Sequence, residues 1–157
     1  MKIFYGKAVY DNKEISAAIS VLKNKSLTLI DGPSVKILEK KISRLFGKKY
    51  GLMVNSGSSA NLLGLASFDL KKGSEVITPT LTFSTTLAPI YQLGLIPHFI
   101  DVDENTFTAK ISQIKKAINK KTKAIIIPNL LGNVPDWKEI YKIAKHYKLK
   151  IIEDSAD

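Results

Sequence analysis

The sequence predicts an α/β fold, in which a mostly parallel sheet carries helices on both faces as a three-layer α/β/α arrangement. From residue 50 to the end of the sequence, short apolar runs typical of strands alternate with amphipathic runs typical of helices. The strand runs are nearly all apolar, as in "KAIIIP", which is the pattern of strands covered on both faces. The 157 residues, 45% of them hydrophobic, suffice for one domain with a substantial core.

A helical segment, residues 1–47, precedes the alternation. Asp11 is predicted to cap its first helix and Ser34 its second, and Gly47 is predicted to end the second helix. Between the two helices we predict an extended loop with a turn at Gly32-Pro33. The predicted helices cover residues 12–23 and 35–46.

The second part, residues 48–157, is predicted to hold the sheet. Its first helix has Ala60, Leu63 and Ala66 on one side, and a later helix turns isoleucines inward and lysines outward. The predicted strands are 50–55, 74–79, 96–102, 123–128 and 149–154. The predicted helices lie within 56–68, 84–94, 109–120 and 136–147.

Polar residues follow every predicted strand at its carboxyl end, which is the edge where parallel sheets bind ligands. Because these ends converge, we predict a polar pocket there. The residues concerned are Asn55–Asn61, Thr78–Thr85, Asp101 and Asp103, Pro128–Asn133, and Glu153, Asp154 and Asp157.

The stretch "NSGSSAN" has the chemistry of an anion cradle. Gly57 lets the backbone approach a ligand closely, and Ser58 and Ser59 offer hydroxyl and N–H groups at a helix N-terminus, where the dipole favours phosphate. An ordinary serine cap with a glycine in the turn explains the stretch equally simply. It is neither a Walker loop nor the dinucleotide fingerprint, since the required glycines and lysine are absent.

Two further side chains at this edge have both a structural and a functional interpretation. Phe83 could stack on a flat ring, although such a phenylalanine is more often a core residue. Asp154 could bond a ring nitrogen, or it could simply cap the following loop. His98 and His146 are interpreted as structural or surface residues, so no metal site is predicted.

Composition argues against several functional classes. The net charge of +10 would suit a polyanionic partner, but Arg44 is the single arginine among 24 basic residues and the lysines lie at helical spacing without interleaved aromatics. We therefore interpret them as solvated helix faces and predict no nucleic-acid partner. No apolar run could span a membrane, no secretory signal is visible, and the lack of cysteine is compatible with a reducing cytoplasm.

Taken together, the motifs resemble the N-terminal part of the DegT/StrS family, whose members are pyridoxal-phosphate enzymes with the aspartate aminotransferase fold that modify nucleotide-linked sugars. Any one motif is weak, but their order and spacing are specific. The matching stretches are "FYGKAVYDNKEI", "LTLIDGPSVKILEKKISRLFGKKYGLMVNSGSSANLL", "GSEVITPTLTFSTTLAPIYQLGLIPHFIDVD", "KAIIIPNLLGN" and "IIEDSAD".

The resemblance implies a role for each candidate residue. It implies that Gly57, Ser58 and Ser59 hold the phosphate of pyridoxal 5'-phosphate or pyridoxamine 5'-phosphate, that Phe83 stacks on the ring, and that Asp154 pairs with the ring nitrogen. Asp157 stands where the family's aminotransferases commonly have glutamine, and the loop reads Ser-Gly-Ser-Ser where Ser-Gly-Thr-Ala is usual. With "NLL" after it, this pattern resembles the family's branch of sugar 3-dehydratases.

The resemblance implies either transamination of a nucleotide-linked keto sugar, with glutamate as an amino donor, or its 3-dehydration, in cell-surface polysaccharide or amino- and deoxy-sugar biosynthesis. It implies a homodimer. It also implies that the Schiff-base lysine, or the histidine replacing it in dehydratases, and a smaller C-terminal domain lie beyond residue 157, so that the chain is an inactive fragment by itself. A non-catalytic relative, and a nucleotide-binding α/β domain of another class, are the alternatives.

Overall fold

The computed structural model describes residues 6–24, 29–30 and 32–156, and these form two compact units that divide between Met53 and Val54. In the first unit, α1 spans Asn12–Lys23 and α2 spans Pro33–Leu45. The carboxylate of Asp11 caps α1, as predicted. Parts of the predicted loop between α1 and α2, residues 25–28 and 31, lie outside the described residues.

The start of α2 differs from the sequence prediction, and its end agrees with it. The N-cap is Gly32 and not Ser34, because Pro33 takes the first helical position, where its fixed φ fits and its missing N–H costs nothing. Gly47, at a φ of 61°, ends the helix, and the N–H of Lys48 donates to the carbonyl oxygen of Ser43 at 2.7 Å. This bond pattern is a Schellman motif.

The second unit has the predicted α/β architecture. Its four strands are all parallel, in the order β2-β1-β3-β4. In chain order the elements are α3 (Gly57–Ala66), β1 (Glu75–Pro79), α4 (Ser84–Gln92), β2 (Ile96–Ile100), α5 (Ile111–Ala117), β3 (Thr122–Pro128), a 3-10 turn (Leu130–Gly132), α6 (Trp137–Tyr147) and β4 (Lys150–Asp154). Within the part of the chain described, no helix is long and apolar enough to cross a bilayer.

Strand alternation divides the core between the two faces of the sheet. On one face Ile77, Ile125 and Ile127 are buried with Ile114 of α5 and Ile140 of α6. A second cluster contains residues from α3, α4, β1 and β3 on the other face. Its buried members are Leu65, Val76, Ile90, Leu95, Ala124 and Ile126.

One sequence prediction about the segment before α3 is wrong. Residues 50–55 form no strand, because an extended stretch becomes a strand only through ladder hydrogen bonds and none is recorded for it among the described residues; Leu52 is 76% exposed. In α3 the small apolar residues Ala60, Leu63 and Ala66 face outward. The buried residues of that helix are Asn61 and Leu65.

The strand order creates a switch point at the carboxyl ends of β1 and β3. The chain leaves β1 toward β2 on one side, whereas β3 and β4 extend the sheet on the other. The connections at this point diverge and leave a crevice, which is where open parallel sheets bind ligands. We therefore expect a ligand to bind near the segments that follow β1, β3 and β4 and near the start of α3.

Candidate functional site

The start of α3 combines a serine cap with unused donors. The cap is Ser56, whose Oγ accepts from the Ser59 N–H at 3.2 Å and donates to the Ser59 Oγ at 3.2 Å. No acceptor is recorded among the described residues for the N–H groups of Gly57 and Ser58. The hydroxyl protons of Ser58 and Ser59 are also uncommitted in the recorded bonds. The capping interpretation thus holds for Ser56, and the next three residues keep donors for an anion.

One face of α3 lies against β4 and the residues that follow it. A Cβ added at Gly57 would lie 3.9 Å from the Cβ of Ala156, and one added at Gly64 would lie 3.6 Å from the Cδ1 of Ile152. Asn61 lies on the same face, since residues four apart on a helix are neighbours. The anion cradle at the start of α3 is therefore at the same edge of the sheet as the end of β4.

Asp154 ends β4 and is held by two helices. Its Oδ2 accepts from Asn61 Nδ2 of α3 at 2.8 Å and from Thr86 Oγ1 of α4 at 2.8 Å. Asn61 is 6% exposed and Thr86 is 1% exposed, so both bonds are shielded from water. Among the described residues no partner is recorded for Oδ1 and no cation is paired with the carboxylate. Asp154 therefore has one carboxylate oxygen that no other group in the described part of the chain occupies.

Phe83 is not a core residue, although the core interpretation was the more frequent one for such a position. Its side chain is 68% exposed at the N-cap of α4. Its carbonyl oxygen accepts from the N–H of Thr86 at 3.0 Å, which ties it to the turn that contacts Asp154. An exposed aromatic ring at a ligand-binding edge can cover a flat ligand.

Asn129 fixes the backbone at the end of β4. Its N–H donates to the carbonyl oxygen of Asp154 at 2.9 Å, and its Nδ2 donates to Glu153 Oε1 at 3.1 Å and Ser155 Oγ at 2.9 Å. Its Oδ1 accepts from Trp137 Nε1 at 2.8 Å. Glu153 and Asp154 point to opposite faces of the sheet, as successive strand residues do. Asn129 thus orients the strand end from the face opposite Asn61 and Thr86.

The carboxylates of Asp101 and Asp103, predicted at this edge, form hydrogen bonds within their own loop. Asp103 closes a turn, where N–H groups of Asn105 and Thr106 donate to its carboxylate and lower its pKa. Asp101 bonds the N–H of Val102 in the same loop. His98 contacts Glu75 at 3.1 Å, within β1 and β2. Asp157 lies outside the described residues.

The polar groups of this edge are not saturated by the protein's own contacts. Thr78 Oγ1 and Thr82 Oγ1 are buried and have no partner among the described residues, which is uncommon in folded proteins. Both belong to β1 or the loop after it, at the switch point. A separate hollow of about 260 Å³ lies between β2 and α5, and neither Asp154, Phe83 nor the start of α3 lines it.

Sequence reasoning assigned no structural role to Asn61, Thr86 or Asn129. Asn61 and Thr86 lie within helices, where an amide or hydroxyl is usually solvated, and nothing in the sequence indicates that they are buried. One signal was available for Asn61, since it follows Gly57 by four residues and so shares its helix face. The contacts of Thr86 and Asn129 could be identified only from the packed structure.

Comparison with known proteins gives one consistent result. The profile of the DegT/DnrJ/EryC1/StrS aminotransferase family matches residues 9–157. A GDP-4-keto-6-deoxy-D-mannose 3-dehydratase of Yersinia pseudotuberculosis is 40% identical over 96% of this chain and 39% of its own length. A 3-oxo-glucose-6-phosphate:glutamate aminotransferase of Bacillus subtilis is 36% identical over 80% of this chain and 28% of its own.

The fold is shared with solved structures. An E. coli GDP-4-keto-6-deoxy-D-mannose-3-dehydratase with bound hydrated PLP matches at a TM-score of 0.87 and 41% identity, covering 95% of this chain and 39% of that one. The match thus covers 39% of the length of the Yersinia relative and 28% of that of the Bacillus subtilis relative.

Proposed function

Because the chain belongs to the DegT/DnrJ/EryC1/StrS aminotransferase family, we propose that the full-length protein is a pyridoxal-phosphate-dependent enzyme that modifies a nucleotide-linked keto sugar. One observation carries the proposal. A carboxylate at the carboxyl end of β4, Asp154, is fixed through Oδ2 by two buried donors, and within residues 6–24, 29–30 and 32–156 its Oδ1 has no hydrogen-bond partner. That arrangement suits a protonated ring nitrogen.

The proposed cofactor contacts extend from Asp154 along the same edge of the sheet. Gly57 and Ser58 donate N–H groups to the phosphate, and the hydroxyls of Ser58 and Ser59 donate as well. The exposed ring of Phe83 covers the pyridine ring. Asp157 is proposed as a further contact on the resemblance alone.

Each proposed contact has a chemical task. Asp154 holds a proton on the ring nitrogen, since the ionised carboxylate favours the cationic form of its partner. Bound pyridoxal phosphate then supplies an electron-withdrawing ring that stabilises negative charge on the attached substrate carbon. The phosphate cradle and Phe83 fix the ring in one orientation and exclude water from one of its faces.

Transamination and 3-dehydration both remain candidate reactions. Transamination is the activity in the family's name and in that of the Bacillus subtilis relative. Dehydration is favoured by the higher identity to the Yersinia and E. coli enzymes and by the Ser-Gly-Ser-Ser loop with Asn61 after it. The two reactions share the proposed contacts, so these residues do not separate them.

Incubating the full-length protein with pyridoxal phosphate, glutamate and a GDP- or dTDP-linked 4-keto-6-deoxy sugar distinguishes the candidates. Mass spectrometry of the sugar shows an added nitrogen after transamination and a lost oxygen after 3-dehydration. An absorbance titration measures cofactor binding in parallel. A protein that binds no pyridoxal phosphate and leaves every such sugar unchanged would instead be a non-catalytic relative.

The functional unit proposed is a homodimer located in the cytoplasm. The dimer rests on the resemblance, since relatives complete the cofactor site at a subunit interface. Analytical ultracentrifugation of the active full-length protein tests it, and an active monomer would refute it. Cell fractionation tests the compartment.

A further inference from the structure

The strongest unassigned feature is the pair of buried donors on Asp154. The Oδ2 atom receives Asn61 Nδ2 and Thr86 Oγ1, each at 2.8 Å, and these donors come from different helices. A carboxylate rotates about its last side-chain bond unless its oxygens are held. Two bonds to the same oxygen from two directions fix that rotation and determine where Oδ1 points.

We propose that Asn61 and Thr86 are positioning residues that orient the Asp154 carboxylate toward the ring nitrogen of the cofactor. The inference rests on the proposed function, and it assigns roles to two residues outside the proposed contact set. Neither residue is a catalytic residue, since each acts through Asp154.

The chemistry of the two donors favours orientation of the Asp154 carboxylate over neutralisation of its charge. Both are uncharged, so they orient the carboxylate without supplying a competing cation for its negative charge. A lysine or arginine in their place would form an ion pair with Asp154 and oppose pairing with a protonated ring. Because an ionised carboxylate only accepts hydrogen bonds, the Asn61 amide must turn its nitrogen toward Asp154.

The same helices carry the other proposed contacts. Asn61 lies one turn after Gly57 on α3, and Thr86 lies three residues after Phe83 on α4. The Thr86 N–H also donates to the Phe83 carbonyl oxygen at 3.0 Å. Asp154 therefore joins the helix that begins at the phosphate cradle to the helix that begins at the exposed ring, and its two bonds set their spacing.

The alternative is that Asp154 only satisfies two buried polar groups and that the bonds contribute to folding alone. Two variants of Thr86 separate these roles. Thr86→Val keeps the shape and removes the hydroxyl, whereas Thr86→Ser keeps the hydroxyl and removes a methyl group. If Thr86 positions Asp154, cofactor affinity falls in the first variant and is kept in the second. If the bonds contribute to folding alone, Thr86→Val loses stability but keeps its cofactor affinity.

The experiment uses the full-length protein and titrates each variant with pyridoxal phosphate by absorbance. We expect Thr86→Val to weaken cofactor affinity about tenfold, or about 1.4 kcal/mol, and Thr86→Ser to stay within about twofold of wild type. In an Asp154→Asn background Thr86→Val should add little to the loss of affinity, because asparagine cannot pair with a protonated ring nitrogen and its orientation then no longer affects cofactor binding. Asn61→Leu should resemble Thr86→Val.

A matched control separates stability from positioning. Thr122 is also buried, at the amino end of β3, and its hydroxyl donates to the Ala117 carbonyl oxygen at 3.4 Å. Thr122→Val should lower the urea midpoint of the cofactor-free protein without changing cofactor affinity. Each of three results would overturn the inference. The first is unchanged cofactor affinity in Thr86→Val, and the second is an equal loss of affinity in Thr86→Val and Thr86→Ser. The third is a full Thr86→Val effect in the Asp154→Asn background. Wild type that binds no pyridoxal phosphate would overturn the proposed function and this inference together.

Discussion

We expect Asp154→Asn to lower the turnover of the full-length protein by about a thousandfold or more while its fold remains close to wild type. Asparagine keeps an oxygen that can accept from Asn61 and Thr86, so the contacts between α3, α4 and β4 survive. It has no negative charge with which to keep a ring nitrogen protonated. Loss of one preorganised electrostatic contact costs on the order of a hundred- to a thousandfold in rate, and Asp154 is the charged group proposed to face the ring nitrogen.

Asp154→Ala should show how much Asp154 contributes to the stability of the fold. Alanine leaves the Thr86 hydroxyl buried without its acceptor, which costs about 1–3 kcal/mol for such a group, and it leaves the Asn61 amide with only the Thr85 carbonyl oxygen at 3.4 Å. Its turnover should match that of Asp154→Asn, and its unfolding free energy should be lower. Steady-state rates and urea unfolding of both variants without cofactor measure the two effects separately.

Glu153→Gln is the matched control. Glu153 is the adjacent carboxylate, but it bonds Asn129 on the other face of β4. Its loss of charge should leave cofactor affinity and turnover near wild type. If Asp154→Asn kept most of its turnover, or if Glu153→Gln lost as much, the assignment of the ring contact to Asp154 would fail.

The fold could be predicted from the sequence because its elements depend on local patterns. After Lys123, the predicted strand 123–128 contains only apolar residues, which predicts a strand covered on both faces, and β3 agrees. Residues 50–55 have the same pattern yet form no strand, since a strand also depends on a hydrogen-bonding neighbour. The hydrophobic periodicity of a segment indicates which of its residues tend to be buried. It does not indicate which neighbouring strand the segment pairs with.

The candidate site divides in the same way. Gly57, Ser58, Ser59 and Asp154 follow from position, because they stand at a helix start or a strand's carboxyl end, and such positions bind ligands on general grounds. The contacts of Asn61 and Thr86 with Asp154 join residues 93 and 68 positions apart. No local pattern specifies such pairs, and a polar residue inside a helix gives no sign of whether it is solvated or buried.

We expect Ser58→Asp to weaken binding of pyridoxal phosphate by the full-length protein more than a hundredfold without destabilising the fold. Ser58 is exposed at the second position of α3, where a carboxylate interacts favourably with the helix dipole by about 0.3–1 kcal/mol. The same carboxylate would face the cofactor phosphate, and it replaces a hydroxyl donor by a like charge. Charge-assisted bonds contribute about 1.5–3 kcal/mol each, and repulsion adds to that loss.

Two further variants of the full-length protein separate the loss of the hydroxyl donor from the effect of the added charge. Ser58→Ala removes the donor without adding charge, so its cofactor affinity should fall by only about ten- to a hundredfold. Ser112→Asp places the same new charge at the second position of α5, on the opposite face of the sheet, and should leave affinity unchanged. If α3 is only capped at its start and holds no phosphate, Ser58→Asp and Ser112→Asp should behave alike, with wild-type affinity and equal or higher urea midpoints. The start of α3 is identified as the phosphate site if Ser58→Asp alone loses much of its cofactor affinity and keeps its urea midpoint. A damaged helix would lower both the affinity and the midpoint, so it cannot explain that result.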